Sequence, residues 1–435
     1  MLELKGRALL ADEMGLGKTL QALWYITKTD SYPAVIVCPA SLKMNWQREA
    51  AKVGIEAVVL QGKKTAVDFD FTDVKCVIIN YDIIEAWLPY LIKWKPAILV
   101  CDECHYLQSR TAKRTKATKA LGKKCKKIIA ISGTPLTNRP SELWSVLNML
   151  LPKDYPAFTR FAARYCRPKM TPWGWNYGGA QNLKELHSNL TGRCMIRRLK
   201  KDVLKDLPDK VINVHVLEID DYEQYVRAKQ DFIGWLRDQD PKALRKALRA
   251  LAISKVSHLK RLAAKLKVNA LKEYLDSVLE ETGEKIVISC VHHAMIDALM
   301  EHFGDKAVKI DGRDDMASRD ESVRSFQEDT GTTVFIGQLK AAGVGLTLTA
   351  SSKVYFAECG WVPGEHQQMQ DRVHRIGQTK HCTATYLVAG DTIEEQFVQV
   401  LQAKQEVVSK ILEGDDNIGN QNIFDQLLDL KEFNP

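Results

Sequence analysis

Long apolar runs are missing from this 435-residue chain. None reaches the roughly 20 residues that span a bilayer, so no membrane contact is expected. The opening Met1-Leu2-Glu3-Leu4-Lys5-Gly6-Arg7 lacks the basic-then-apolar layout of a secretory leader and runs straight into a strand-like segment. The chain is therefore expected to stay where it is made: cytoplasm or nucleoid in a prokaryote or virus, nucleus in a eukaryote, and not secreted. Disulfide-type cysteine spacing is also lacking. The ten cysteines are scattered, which suits a reducing compartment. Cys101-Asp102-Glu103-Cys104-His105 spells C-x-x-C-H, but covalent haem would need export, and no second ligand pair follows at finger-like spacing. There is no internal repeat and no low-complexity tract.

What is present is the composition of a globular protein, 45% hydrophobic, with length enough for two or three domains. The net charge is only +8, but it is unevenly distributed. Residues 113–127 hold eight basic side chains and no acidic one, and a second basic stretch covers 242–272. Such stripes either face solvent or attract a polyphosphate backbone.

Short apolar runs alternate with amphipathic stretches, the pattern of a parallel α/β sheet. Candidate strands are 7–11, 34–38, 57–60, 76–80, 97–101 and 128–132, then 285–289, 307–310, 333–337, 353–357 and 384–388. Between the two groups, 140–264 reads as mostly helical, interrupted by the aromatic, glycine-containing stretch 172–179. Trp173, Trp175 and Tyr177 there are expected to pack the insertion rather than touch a ligand. A last amphipathic helix, 392–412, precedes a tail. The expected organisation is a first lobe at 1–139, a helical insertion at 140–265, a second lobe at 266–413 ending in a brace helix, and a tail at 414–435.

The first strand leads into Asp12-Glu13-Met14-Gly15-Leu16-Gly17-Lys18-Thr19. Gly15 and Gly17 let the backbone wrap a phosphate, and the next helix offers free N–H groups and the positive end of its dipole. Lys18 would neutralise β- and γ-phosphates, and the Thr19 hydroxyl would complete a Mg²⁺ shell. The strict P-loop template has glycine where this chain has Asp12. A phosphate loop needs an acid at the end of a neighbouring strand, and Ile98-Leu99-Val100-Cys101-Asp102-Glu103 supplies two: Asp102 to hold Mg²⁺, Glu103 to polarise the attacking water. Phosphoryl transfer also needs positive charge at the departing phosphate. Arg372 and Arg375, three residues apart on one helix face, are the candidate arginine fingers.

Together these segments resemble superfamily 2 helicases, and specifically the SWI/SNF family of DNA translocases. Asp12 to Thr19 matches motif I, Cys38-Pro39-Ala40-Ser41-Leu42 motif Ia, Asp102-Glu103-Cys104-His105 motif II, and Ser132-Gly133-Thr134-Pro135-Leu136-Thr137-Asn138 motif III. Ala341-Ala342-Gly343-Val344-Gly345-Leu346-Thr347-Leu348-Thr349 matches motif V. Gln368 to Gln378, ending in the characteristic His374-Arg375-Ile376-Gly377-Gln378, matches motif VI. Arg164-Tyr165-Cys166, Gly174-Trp175-Asn176-Tyr177-Gly178-Gly179 and Met195-Ile196-Arg197-Arg198-Leu199-Lys200 resemble the annealing-helicase, HARP-type fork-remodelling branch.

The resemblance implies two RecA-like lobes, ATP hydrolysis stimulated by double-stranded or forked DNA, translocation on a duplex, and remodelling of branched DNA or protein–DNA complexes. It implies that His105, Ser132, Thr134, Gly345 and Gln368 couple hydrolysis to movement, and that Ser41 and Thr347 lie near the nucleic-acid track. Such contacts carry little sequence information and weaken steeply with salt. A monomer is expected, with any recruiting partner unspecified. Two departures stand out: Gln370 replaces an acid usual in motif VI, and Gln338 stands near a usual serine. The sequence starts about one strand before Asp12, so no counterpart of the relatives' adenine-reading glutamine segment is seen. The alternatives are a strand-separating helicase or restriction-type motor, and, in another class, a non-hydrolysing DNA-binding scaffold.

Overall fold

The structure is a computed structural model that describes residues 6–63, 69–135, 139–171, 174–237, 245–343, 345–398 and 401. These residues form two compact units, 6–205 and 206–401. Each is built on a parallel sheet, so the fold is α/β with two RecA-like lobes.

The first unit holds a seven-stranded sheet. Its strands are β1 (Arg7–Leu10), β2 (Ala34–Cys38), β3 (Ala57–Val59), β4 (Cys76–Asn80), β5 (Ile98–Cys101), β6 (Lys127–Ile131) and β9 (Met195–Ile196). They lie in the order β3-β4-β2-β5-β6-β1-β9, every neighbouring pair parallel. All five residues of β2 and all five of β4 are buried. Helices cover both faces of a parallel sheet, which is why these strands read as unbroken apolar runs. From β1 the chain crosses over β6 and β5 to reach β2. A reversal of this kind opens a crevice at the carboxyl ends of the strands. A small antiparallel hairpin, β7 (Lys169–Thr171) and β8 (Gly174–Asn176), stands apart from the sheet.

The second unit holds six parallel strands: β10 (Lys210–Leu217), β11 (Ile286–Cys290), β12 (Ala307–Ile310), β13 (Val334–Gln338), β14 (Lys353–Phe356) and β15 (Cys382–Ala389). Their order is β10-β15-β14-β11-β13-β12. Side chains alternate between two cores, with Val287, Phe335, Val354 and Phe356 on one side and Ile286, Ile288, Val334, Ile336 and Tyr355 on the other.

The eleven strands expected from sequence all occur, with ends shifted by two residues at most. The region 140–264 departs from its helical reading. It supplies β9 to the first sheet and the eight-residue β10 to the second. Val211, Ile212, Val214 and Val216 are the β-branched signal that marks β10. The interval 140–265 is thus divided between the two units rather than standing alone. The second basic stretch also contains two lysines that face inward. Lys260 Nζ donates to the Cys359 carbonyl at 2.7 Å between the rings of Trp361 and Phe397, and Lys267 Nζ pairs with Glu394 at 2.5 Å. Lys260 lies in the helix Arg245–Leu266, and Lys267 at the turn that joins it to the helix Val268–Thr282. The expected brace helix is helical at 393–398. Thr392 precedes it as a bend, and residues 399–400, 402–412 and the tail lie outside the described residues. Among the described residues no helix is long and apolar enough to cross a membrane. All ten cysteines are buried.

Candidate nucleotide site and its neighbours

The segment after β1 turns through two left-handed glycines, Gly15 (φ 87°) and Gly17 (φ 70°), and Gly17 starts the helix Lys18–Lys28 with no side-chain cap. The first N–H groups of that helix are therefore directed at the turn, the arrangement that receives phosphate. Lys18 Nζ donates to the Asp12 and Glu13 carbonyls at 2.8 and 2.9 Å, folding the lysine over the loop. Gly133 permits close approach from motif III: a methyl there would come 2.6 Å from Met14 Cγ and 3.4 Å from Lys18 Nζ.

Asp12, where the strict template has glycine, is wholly buried. Its carboxylate accepts from the Arg198 guanidinium (Nη2 to Oδ2 at 2.5 Å), the Arg198 backbone N–H (2.9 Å) and Gln21 Nε2 (3.1 Å). Next to it, the Lys200 backbone N–H donates to Glu13 Oε2 at 2.5 Å, and Arg197 Nη1 donates to the Ala11 carbonyl at 2.9 Å. The stretch 196–200 thus straps the phosphate loop from outside. No local pattern in the sequence marks Arg197, Arg198 or Gln21 for this role.

Asp102 follows β5 at the carboxyl edge of the sheet, as the strand ending predicted. Its Oδ2 accepts from Trp46 Nε1 at 2.7 Å, its Oδ1 from the Glu103 N–H at 2.9 Å, and its carbonyl from Tyr81 Oη at 2.6 Å. Burial, and then the charge of Glu103, push the Asp102 carboxyl up to about 7, against the lowering effects of Trp46, the Glu103 N–H and Lys18. Two adjacent carboxylates held in this way are a donor set that a divalent cation suits, because the ion stabilises the charge that burial opposes. Trp46 was not anticipated. Its signal is the single aromatic residue in the mostly polar helix Lys43–Lys52, and a buried indole N–H needs an acceptor.

Glu103 adopts a left-handed backbone (φ 47°, ψ 53°). From it a line of polar contacts leads to motif III: His105 Nδ1 lies 3.2 Å from Glu103 Oε2 and 3.4 Å from Ser132 Oγ, and Ser132 Oγ accepts the Thr134 N–H at 3.2 Å. The strand order explains the proximity. β6, which ends beside Ser132, lies between β5 and β1 and hence between the acids and the phosphate loop. Thr134 Oγ1 is buried with no hydrogen-bond partner among the described residues, a hydroxyl left available to a ligand. Ser41 lies in the 3-10 turn Ala40–Leu42 just after β2, on the same carboxyl edge. Leu136, Thr137 and Asn138 lie outside the described residues.

In the second unit the structure brings together Gly345, Thr347, Gln368, Arg372 and Arg375. Arg372 Nη1 and Arg375 Nη1 both donate to the Leu346 carbonyl, at 3.1 and 2.9 Å. Arg375 also donates to Thr347 Oγ1 at 2.9 Å, and Arg372 Nε to the Gln368 carbonyl at 3.2 Å. Gly345 (φ 78°) makes the turn that presents Leu346. Burial lowers the Arg375 pKa from its usual value. Val344 lies outside the described residues. Gln370 donates to Tyr386 Oη at 3.3 Å, and Gln338 accepts the Gly312 N–H at 3.0 Å. Both departures from the family pattern are therefore engaged in hydrogen bonds. Gln378 Nε2 donates to the Ser351 carbonyl at 2.8 Å, and its Oε1 accepts the Thr379 and Lys380 N–H groups, fixing the end of motif VI.

Two family models match the chain: the SNF2-related domain over residues 2–272 and the helicase conserved C-terminal domain over 266–377. The chain is 33% identical over 428 residues to the "SWI/SNF-related matrix-associated actin-dependent regulator of chromatin subfamily A-like protein 1" of Xenopus tropicalis, a match covering 93% of this chain and 43% of that protein. It is 33% identical over 436 residues to the "DNA annealing helicase and endonuclease ZRANB3" of Homo sapiens, covering 95% and 39%. The chain thus spans about two fifths of the length of these relatives. Among solved structures, the Sulfolobus solfataricus SWI2/SNF2 ATPase core in complex with dsDNA is similar over 99% of this chain and 92% of that one, at 23% identity and a TM-score of 0.44.

Proposed function

Because the chain belongs to the SNF2-related family and carries its helicase-like ATPase core, we propose that it couples ATP hydrolysis to translocation along double-stranded DNA, remodelling branched DNA or protein–DNA complexes without processive strand separation. Gly15, Gly17 and Lys18 bind the β- and γ-phosphates. Thr19 and Asp102 hold Mg²⁺, which supplies charge neutralisation at the phosphates. Glu103 orients and polarises the attacking water, and Arg372 and Arg375 stabilise the charge on the departing phosphate. Ser41 and Thr347 contact the DNA backbone, which makes binding tolerant of sequence and sensitive to salt.

The observation that carries this reading is the line of contacts from Glu103 through His105 and Ser132 to Thr134. It ties the residue that would act on water to the loop that would report hydrolysis. A motor needs that tie, and a simple nucleotide binder does not.

The test is steady-state ATP hydrolysis with no nucleic acid, single-stranded DNA, duplex DNA, a model fork or duplex RNA. Stimulation by duplex or forked DNA is expected, abolished in Lys18→Ala. Preference for single strands or RNA would favour the strand-separating helicase. Absence of hydrolysis under every condition would favour the scaffold. Displacement of a third strand from a triplex, with the underlying duplex left paired, separates translocation from unwinding.

A further inference from the structure

The first lobe carries an open cavity of about 490 Å³ that none of the nucleotide-site residues lines. That volume lies within the ~300–1,000 Å³ range of ligand sites. Its walls come from the turn at 108–111 beyond motif II, Arg139 with Ser141 and Glu142 of the short helix Pro140–Glu142, Phe158, and β8 of the β7–β8 hairpin with the residue after it.

The wall chemistry is mixed in a specific way. Trp175, on the hairpin, is 56% exposed, contrary to the expectation that it packs the insertion. Tyr177 fits that reading better: its ring meets Phe158 edge to face at 4.9 Å. The Arg110 guanidinium lies 4.3 Å over the Phe158 ring and has no hydrogen bond or ion pair among the described residues. Arg139 adds a second guanidinium, only loosely engaged by Glu142 at 3.5 Å.

An apolar ligand does not suit these cations, and a small anion would leave the exposed indole unused. Duplex DNA offers phosphates but no open base faces, so a ring cannot stack on it. An unpaired strand offers both, and aromatic platforms flanked by basic groups are how proteins hold single strands. We infer that this cavity binds the unpaired strand of a branched DNA, with one base stacked on Trp175 and the adjoining phosphates on Arg110 and Arg139. The inference rests on the duplex-motor reading and adds to it: the same lobe would sense the junction that the motor reaches.

The test uses the full chain without ATP. Fluorescence anisotropy compares a blunt duplex with the same duplex bearing unpaired oligothymidine arms. The armed duplex is expected to bind about tenfold more tightly, the scale of one stacked base. Trp175→Ala and Arg110→Ala should each remove most of that preference, while Trp175→Phe, which keeps a stacking ring, should retain it. Blunt-duplex affinity and duplex-stimulated hydrolysis should be unchanged in all three. Equal wild-type affinity for the two substrates overturns the inference. So does an arm preference that survives Trp175→Ala and Arg110→Ala, or one that Trp175→Phe loses as completely as Trp175→Ala. Failure of the motor reading appears separately, as hydrolysis that no DNA stimulates, and the binding comparison still decides the cavity.

Discussion

Glu103 is a non-glycine residue in the left-handed region, where a side chain costs on the order of 1 kcal/mol or more. The surrounding contacts hold it there: its N–H is bound by Asp102 and its carboxylate meets His105. Strain of this kind is found where geometry has to be fixed for chemistry, and the proposed water-polarising role gives it a reason. Lys260 shows the opposite case, a charged residue used for architecture. It is 8% exposed, and burial lowers its pKa from 10.5 to about 8. A lysine whose folded pKa lies below its unfolded value binds its proton less tightly in the fold. The folded state therefore gains relative stability as pH rises from about 8 to 10.5. Lys260→Met has no such proton to lose. Its stability relative to wild type should be most favourable near pH 7 and should decline by up to about 3 kcal/mol by pH 10.5. Urea unfolding of both proteins across that range checks this, and a constant difference would refute it.

At the scale of elements, the two-residue strand β9 does more than its length suggests. By pairing with β1 it delivers Arg197, Arg198 and Lys200 onto the phosphate loop, where Arg198 meets the buried Asp12. Removing one partner of a buried pair leaves an uncompensated charge, and the half-exposed guanidinium moderates that cost. Arg198→Ala should lose about 2 kcal/mol of stability in chemical denaturation and raise the KM for ATP. Arg198→Lys should recover only part of both, since an ammonium cannot reproduce the forked contact. An Arg198→Ala protein with wild-type stability and KM would show that the strap does not hold the loop. Neither β9 nor the exposed edge strand β10 emerged from the hydrophobic pattern. β9 is too short to have a period, and β10, although rich in β-branched residues, lies inside a region whose surroundings read as helical.

At the scale of the whole molecule, the first unit has its own core, and the second has cores on both faces of its sheet. Units with separate cores unfold separately unless an interface couples them. Calorimetry should therefore resolve two transitions. Mg²⁺ with a non-hydrolysable ATP analogue should raise the transition of the first unit, by about 2.7 kcal/mol at a hundredfold excess over Kd. No rise in the transition of the first unit would count against a phosphate site at 12–19.

The sequence by itself determined the two-lobed parallel α/β class, eleven of the sheet strands and the candidate motifs. Buried parallel strands read as apolar runs, and phosphate loops and acid pairs are local patterns of residue types. Only the tertiary structure decided that Asp12 anchors a strap, that Trp46 holds Asp102, that Lys260 and Lys267 face inward, and that Trp175 stands in solvent. Each of those depends on partners tens to more than a hundred positions away, or on whether anything covers a ring. Neither period nor composition records such distances.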